Sequence, residues 1–272
     1  DTSFLFHVNL LPNGRDLRNA LTHGPVEKVA TRKKTLRKAV LWFVFCTTVL
    51  SAKLNTSDYL MDGITEAFTS SQNLTLLGTA AVSIFALRNY DDDMQRYSQK
   101  HGLMSNTLSH QLDLYGGRWA YPALLGLAML KSGTRDEKMD RLLFSSSAIG
   151  VTMMTTIVIK KATGRLRPNG ENRRSFPSGH TSGSFAVAAV VDELYGEKAG
   201  VPAYLIAGLV GVHRIHDNEH WLTDVIAGAA LGTIVGRGFA AAYRTANNDD
   251  SSRLVPERHS RPIMVRLVIP IH

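Results

Sequence analysis

Residues 176–191 read FPSGHTSGSFAVAAVV. Small and hydroxyl-bearing residues surround one histidine, His180, and an uncharged apolar run follows at once. The layout is that of a helix entrance. Pro177 fixes the approach of the chain, Ser178 can cap the first turn, and Gly179 lets the backbone come close to a ligand. The first N–H groups of a helix lack intrahelical partners and lie at the positive end of its dipole, so such a turn can hold an anion. Small residues leave room for a tetrahedral one, with His180 standing beside it. Taken alone, the same stretch would also serve as a plain turn and cap.

Working outward, uncharged runs recur at 39–52, 74–87, 119–130, 142–159, 199–212 and 225–236. They read as the helices of an all-α bundle. Most fall short of the roughly 20 residues that a bilayer crossing needs. The run at 142–159 comes nearest, but it carries Ser145, Ser146, Ser147, Thr152, Thr155 and Thr156. The chain of 272 residues is 44% hydrophobic and 20% charged, an ordinary globular composition, so the expectation is helices buried against one another. The division expected is a polar N-terminal arm at 1–35, a helical domain at 36–246 and a tail at 247–272. Within the tail, Ile263, Val265, Leu267, Ile269 and Ile271 alternate, as in a short strand or an extended segment. Residues 31–52, TRKKTLRKAVLWFVFCTTVLSA, pair a basic segment with an apolar run, as a membrane anchor or export signal does; a helix packed on the domain is the alternative. The chain opens on Asp1, as expected of a form trimmed of a leader.

The formal charge of +8 favours anionic partners such as phosphate esters or lipid headgroups. Nucleic acid is not expected, because the basic residues form no stripe and no helix-turn-helix or zinc-finger spacing occurs. The single cysteine, Cys46, excludes an intrachain disulfide framework and reads as a small apolar residue. Asp91, Asp92 and Asp93 read as a helix start, where carboxylates suit the dipole. The charged segment 133–141 reads as a loop leading into a helix.

Two further blocks flank the opening stretch. Upstream lies KKATGRLRP, 160–168, in which Lys160 and Arg167 would leave one helical face two turns apart, with Pro168 fraying that end. Downstream lies HRIHDNEHWLTD, 213–224, in which His220 and Asp224 are spaced for one helical face. A carboxylate on one imidazole nitrogen fixes the tautomer and leaves the other nitrogen as a nucleophile. Each pair alone is also what a solvated helix provides. Together the blocks supply an attacking histidine, a proton-donating one and cations for a phosphoryl group, the parts of an in-line phosphoryl transfer.

At these residues the chain resembles the type 2 phosphatidic acid phosphatase superfamily, which includes bacterial acid phosphatases and vanadium haloperoxidases. The family pattern is Lys, six residues, Arg-Pro; then Pro-Ser-Gly-His; then Ser-Arg, five residues, His, three residues, Asp. Here it runs Lys160 to Pro168, Pro177 to His180 and His213 to Asp224, and the resemblance covers about 118–240. It implies an all-α bundle with the site at helix ends. It implies that His220 forms a phosphohistidine, that Asp224 orients it, and that His180 protonates the leaving alcohol. Lys160, Arg167, Ser178, Gly179 and Arg214 would hold the phosphate oxygens, and no metal or other cofactor is implied. The serine of the pattern is His213 here, larger and titratable, so pocket size and pH response are expected to differ. His216, Asp217 and Glu219 read as pocket rim or solvated loop.

The reading is therefore a metal-independent phosphatase acting on mono- or diphosphate esters of lipids or small molecules. A membrane surface is an expected partner, and the family places the site on the periplasmic, outer side of the cytoplasmic membrane. A vanadate-dependent haloperoxidase and a non-catalytic module binding anionic lipid are the alternatives. A mere binder would need the cations but not the His220–Asp224 pair or His180.

Overall fold

The computed structural model describes residues 56–249, and among these the chain is helical with no strand. In chain order the helices are α1 (Thr56–Thr69), α2 (Ser71–Leu87), α3 (Asp91–His101), α4 (Asn106–Leu114), α5 (Ala120–Leu130), α6 (Arg135–Thr163), α7 (Gly179–Tyr195), α8 (Glu197–His216) and α9 (Leu222–Asp249). A 3-10 turn, Arg88–Tyr90, leads into α3, and a π-helical turn, Tyr115–Trp119, joins α4 to α5. The all-α expectation holds. The N-terminal arm, the segment 31–52 and the terminal strand lie outside the described residues.

The run AVAAVV that follows the opening stretch becomes the middle of the bundle. α7 is packed by α9, α8, α6 and α5, and nearly all of it from Thr181 to Val191 is buried. A helix surrounded on every side must be narrow, which is why it is built of Ala, Val, Ser and Gly. Its neighbours supply the bulk: Phe144, Leu143, Leu124, Ile234 and Phe239 are fully buried around it. The Phe144 and Tyr243 rings stack at 4.8 Å, and Tyr59 meets Phe239 edge-on at 5.9 Å.

The contact between α9 and α7 is set by glycines on every fourth residue of α9. A Cβ at Gly228 would lie 2.7 Å from the Ser178 carbonyl oxygen, and one at Gly236 would lie 2.5 Å from the Ala189 Cβ. One at Gly232 would run into the Ser182 carbonyl oxygen. The stripe therefore brings backbone against backbone, and it fixes where the first turns of the two helices stand relative to each other.

α6 begins at Arg135, about two turns earlier than the reading of 133–141 as a loop suggested. Thr134 accepts from the Glu137 backbone and Glu137 accepts from the Thr134 backbone, a reciprocal cap that draws the charges into the first turns of the helix. At its other end Gly164 turns left-handed (φ 54°), which releases the chain into the loop that carries Arg165 and Arg167.

By length and composition α6 and α9 are each able to cross a membrane. That test is also passed by core helices, and the outward faces are more telling. Val82 and Phe85 on α2, Leu130 on α5, Val158 on α6 and Leu205 on α8 are all more than half exposed. Water-soluble monomers rarely present so much large apolar surface. The expectation of helices buried against one another holds for α7 but not for these faces, which suit contact with lipid.

Candidate active site

The polar ends of the helices converge at one end of the bundle. Lys160 lies in the last turn of α6, His180 in the first turn of α7, Arg214 in the last turn of α8 and Asp224 in the first turn of α9. The loops 164–178 and 217–221 close over that end.

His220 is not on α9, as its spacing to Asp224 suggested. It sits in the turn before the helix, where its backbone N–H donates to the Arg214 carbonyl (3.1 Å). The pair forms all the same: His220 Nδ1 lies 3.4 Å from Asp224 Oδ2. Asp224 is fully buried, and its carboxylate accepts from Ser175 Oγ (2.5 Å), the Trp221 N–H (2.9 Å) and Arg165 Nη1 (2.7 Å). So many donors keep it ionised and fixed in direction. Its remaining partner is the His220 Nδ1–H, which assigns the tautomer and leaves Nε2 as the lone pair. Burial, only partly offset by the bond to Asp224, lowers the His220 pKa to about 4, so the ring is neutral at physiological pH.

The Arg165 clamp extends further. Nη1 also donates to Thr223 Oγ1 (2.7 Å) and Nη2 to Asp91 Oδ2 (2.7 Å). Asp91 in turn accepts from the Thr223 N–H (3.0 Å) and hydroxyl (2.6 Å). Asp91 does open α3 as the sequence suggested, but it is buried and spent on this network, in addition to the dipole. Arg165, Asp91 and Ser175 went unrecognised in the sequence. The one signal for Arg165 was its place inside the 160–168 block.

Lys160 and Arg167 do not share a helical face, because α6 ends at Thr163 and Arg167 stands in the loop beyond. The loop is nonetheless ordered by its own bonds: the Arg167 N–H donates to the Asn172 carbonyl (3.0 Å) and the Ser175 N–H to that of Arg165 (3.0 Å). Trp221 Nε1 donates to the Leu166 carbonyl (2.9 Å), tying the loop to the neighbour of His220. Lys160 Nζ donates to the carbonyls of Arg174 (2.7 Å) and Ser175 (3.1 Å), and an ammonium has a third donor to give.

The turn at 176–180 follows the expectation with one change. Ser178 is the N-cap residue of α7 but makes no side-chain cap; its Oγ accepts from Thr181 Oγ1 (2.9 Å), and its N–H donates to the Asp224 carbonyl (2.9 Å). That last bond joins the His180 turn directly to the helix that positions His220. A Cβ at Gly179 would only touch Lys160 Cε at 3.7 Å, so the cation stands over the turn. The His180 ring is lodged against the π-helical turn. A Cβ at Gly117 would lie 2.7 Å from its Nε2, and one at Gly116 would lie 3.3 Å from its Cδ2.

Asp113 at the end of α4 adds a carboxylate that the sequence reading did not single out. Its Oδ1 is 3.0 Å from Arg214 Nη1 and 3.5 Å from His180 Nε2. Burial and the Arg214 charge lower the His180 pKa, and Asp113 counters them. His213 lies fully buried behind Arg214, not on the rim. The Ser109 hydroxyl donates to Asp217 (2.6 Å), so it accepts from His213 Nδ1 (2.8 Å). His213 Nε2 then accepts from Arg214 Nη1 (3.3 Å). Burial lowers its pKa as well, so this imidazole serves as a neutral spacer where a serine would stand. Of the loop carboxylates, Asp217 borders a cleft of about 250 Å3 with Asn106, Ser109, His110 and Asp113, whereas Glu219 reaches the arginines.

Lys160 and Arg214 lie close enough to His220, Arg214 close enough to His180, and Arg167 close enough to Lys160 for their charges to act on one another, so cations and histidines gather at this end of the bundle. Arg167 Nε and Arg214 Nε are buried there without a hydrogen-bond partner. Donors in such a cluster suit an oxyanion with several oxygens. Residues 141–248 match the PAP2 superfamily. The match begins later and runs further than the span 118–240 drawn from the motifs. The chain is similar to the lipid A 1-phosphatase of Porphyromonas gingivalis, 42% identical over 96 residues, which are 34% of this chain and 22% of that protein. It is similar to lipid phosphate phosphatase 1 of Arabidopsis thaliana, 33% identical over 139 residues, 36% of this chain and 42% of that one. The chain spans less than half the length of these curated relatives. The solved transmembrane PAP2-type phosphatidylglycerolphosphate phosphatase of Bacillus subtilis has the same fold, with a TM-score of 0.52 at 19% identity, over 66% of this chain and 98% of that one.

Proposed function

We propose that this PAP2 domain is a metal-independent phosphatase that cleaves phosphate mono- or diphosphate esters of lipids through a phosphohistidine. The observation that carries the reading is the His220–Asp224 pair: a neutral imidazole whose tautomer is set by a carboxylate with three other donors, facing a cluster of cations. A binding module needs the cations but no such nucleophile.

In the first step His220 Nε2 bonds to phosphorus, and the bond from phosphorus to the leaving oxygen breaks. His180 gives that oxygen its proton. The arriving phosphoryl group carries negative charge to His180, which raises the pKa that burial has lowered, so substrate and proton load together. Lys160, Arg167, Arg214 and the N–H groups at Gly179 and His180 stabilise the charge on the equatorial oxygens. In the second step His180, now neutral, takes a proton from water. The oxygen attacks phosphorus, the phosphorus–nitrogen bond breaks, and phosphate leaves with His220 restored.

The names of the similar proteins and the apolar outer faces of α2, α5, α6 and α8 support a lipid phosphate as substrate and a membrane surface as the place of reaction. From the family resemblance, we propose that the active site lies on the outer side of the cytoplasmic membrane. The test is phosphate release from phosphatidic acid, undecaprenyl diphosphate and p-nitrophenyl phosphate with EDTA present, for wild type and His220→Ala. Release that survives EDTA and falls at least about 1,000-fold in the variant is expected. Release that EDTA abolishes, or that His220→Ala retains, refutes the mechanism.

A further inference from the structure

We propose that Glu219 is a built-in competitor for the phosphate seat, and that it weakens the hold on every phosphoryl ligand, the inorganic phosphate product included. This rests on the reading of Arg167 and Arg214 as phosphate-holding residues.

One carboxylate oxygen, Glu219 Oε2, meets Arg167 Nη1 and lies 3.0 Å from Arg214 Nη2. The other, Oε1, is 3.5 Å from Asn169 Nδ2. The two guanidinium groups come from different parts of the chain, the loop after α6 and the last turn of α8, and both are largely buried. Brought together with nothing between them, two buried cations repel; the carboxylate supplies the charge that lets them sit side by side. A phosphoryl group asks for the same N–H groups. Both anions cannot hold them at once.

Glu219 fills the seat incompletely. The Nε–H groups of Arg167 and Arg214 remain buried without a partner, although the carboxylate is already on both residues. A planar carboxylate has two oxygens, and one of them is turned to Asn169. A tetrahedral phosphoryl group has three non-bridging oxygens and reaches more donors. The backbone is no obstacle to the exchange and takes no part in it. The N–H groups of Glu219 and His220 both donate to the Arg214 carbonyl at 3.1 Å, so the turn that holds the nucleophile stays fixed. Only the Glu219 side chain needs to rotate, and at 22% exposure it has a route to water.

The competition falls on every anion that needs these donors. Each ligand must break the same arginine–carboxylate bonds, so Glu219 lowers the affinity of all of them by one common factor. It also weakens the hold on the product, inorganic phosphate, by returning to the seat as the product departs.

The experiment is calorimetric titration of the full chain with inorganic phosphate and with dimethyl phosphate, for wild type, Glu219→Gln and Glu219→Ala, alongside phosphate release by wild type and His220→Ala. Both Glu219 variants are expected to bind phosphate about tenfold or more tightly than wild type, since each charge-assisted bond the competitor loses is worth about that factor. Dimethyl phosphate should gain by a similar factor, so the preference between the two ligands stays as it is, and the KM for a monoester should fall. Unchanged or weaker phosphate binding in both variants overturns the proposal and makes Glu219 a prop for the arginines. If that result comes with a wild type that turns over and a dead His220→Ala, the phosphatase reading stands and only this proposal falls. A wild type that neither binds nor releases phosphate removes both.

Discussion

Arg165 donates to Asp224, Asp91 and Thr223 and not to His220, yet its loss should disable the proposed reaction. Its guanidinium is shared between Asp224 and Asp91, each 2.7 Å away and each carboxylate at most 4% exposed. Arg165→Met keeps an unbranched stem but removes the guanidinium that sits over the Trp221 ring, and with it the charge facing both carboxylates. Stripping one partner from a buried ion pair costs about 3–5 kcal/mol. The Arg165 side chain is 31% exposed, and water can replace part of what it gave, so the loss should be near the lower end, about 3 kcal/mol. For a domain of this size that lowers Tm by roughly 6–12 °C. The effect on turnover comes from Asp224: with one of its donors gone it rotates, and His220 loses its alignment, for about a 10- to 100-fold drop in kcat. KM should change little, because the Arg165 guanidinium is spent on Asp224, Asp91 and Thr223. Arg165→Lys should fall between, since a single ammonium cannot span both carboxylates. The assay is scanning calorimetry together with kcat and KM for p-nitrophenyl phosphate. Wild-type Tm and kcat in Arg165→Met, or a change confined to KM, would refute the reasoning.

Gly232→Ala places a methyl group against the Ser182 carbonyl oxygen and 2.9 Å from the Ala186 nitrogen, so α9 must move off α7. Overpacking of this kind costs about 1–3 kcal/mol, and kcat should fall with Tm because the His220 and His180 turns part; a variant with unchanged kcat would show that the two turns do not depend on this contact. The pH dependence of stability should carry the mark of His220. Its folded pKa is about 4, so between there and the unfolded value near 6.5 the unfolded chain binds the extra proton. Stability is then full above about pH 6.5 and is lost as pH falls toward 4, by up to about 1.4 kcal/mol per pH unit. Denaturant unfolding from pH 7 to 4 should be shallower in His220→Gln by that amount, and parallel curves would contradict the assignment.

Much of the site was legible because its chemistry is concentrated in short blocks. Lys160, Arg167, Ser178, Gly179, His180, Arg214, His220 and Asp224 all fall at helix ends or in the adjoining loops at one end of the bundle. The local geometry was less legible. The spacings of Lys160 to Arg167 and of His220 to Asp224 match helical faces, but Gly164 ends α6 between the first two, and α9 begins after His220. Periodicity reports where a residue would lie if the helix continued, and here loops do the placing. The supports of the nucleophile were illegible for a different reason. Asp91 is reached across 74 residues by Arg165, and Asp113 across 101 by Arg214. An aspartate in a run of three acids, or one in the polar turn LDLYGG, carries no mark of such a partner. The apolar outer faces were misjudged because overall composition averages a lipid-suited surface with the polar end of the bundle.

The glycine stripe on α9 has a consequence for how this protein can vary. Because α7 and α9 are registered through their main chains, the distance between the two histidine turns depends on few side chains. Residues facing outward from α2, α4, α5 and α8 can then be exchanged to suit ligands of different shape while the reacting groups keep their places. A designer wishing to retarget the domain would hold 178–184 and 224–236 constant and randomise the lining of the cleft at Asn106 and His110. Diversity at the mouth and constancy at the hinge between two helices would then be separable properties of one chain.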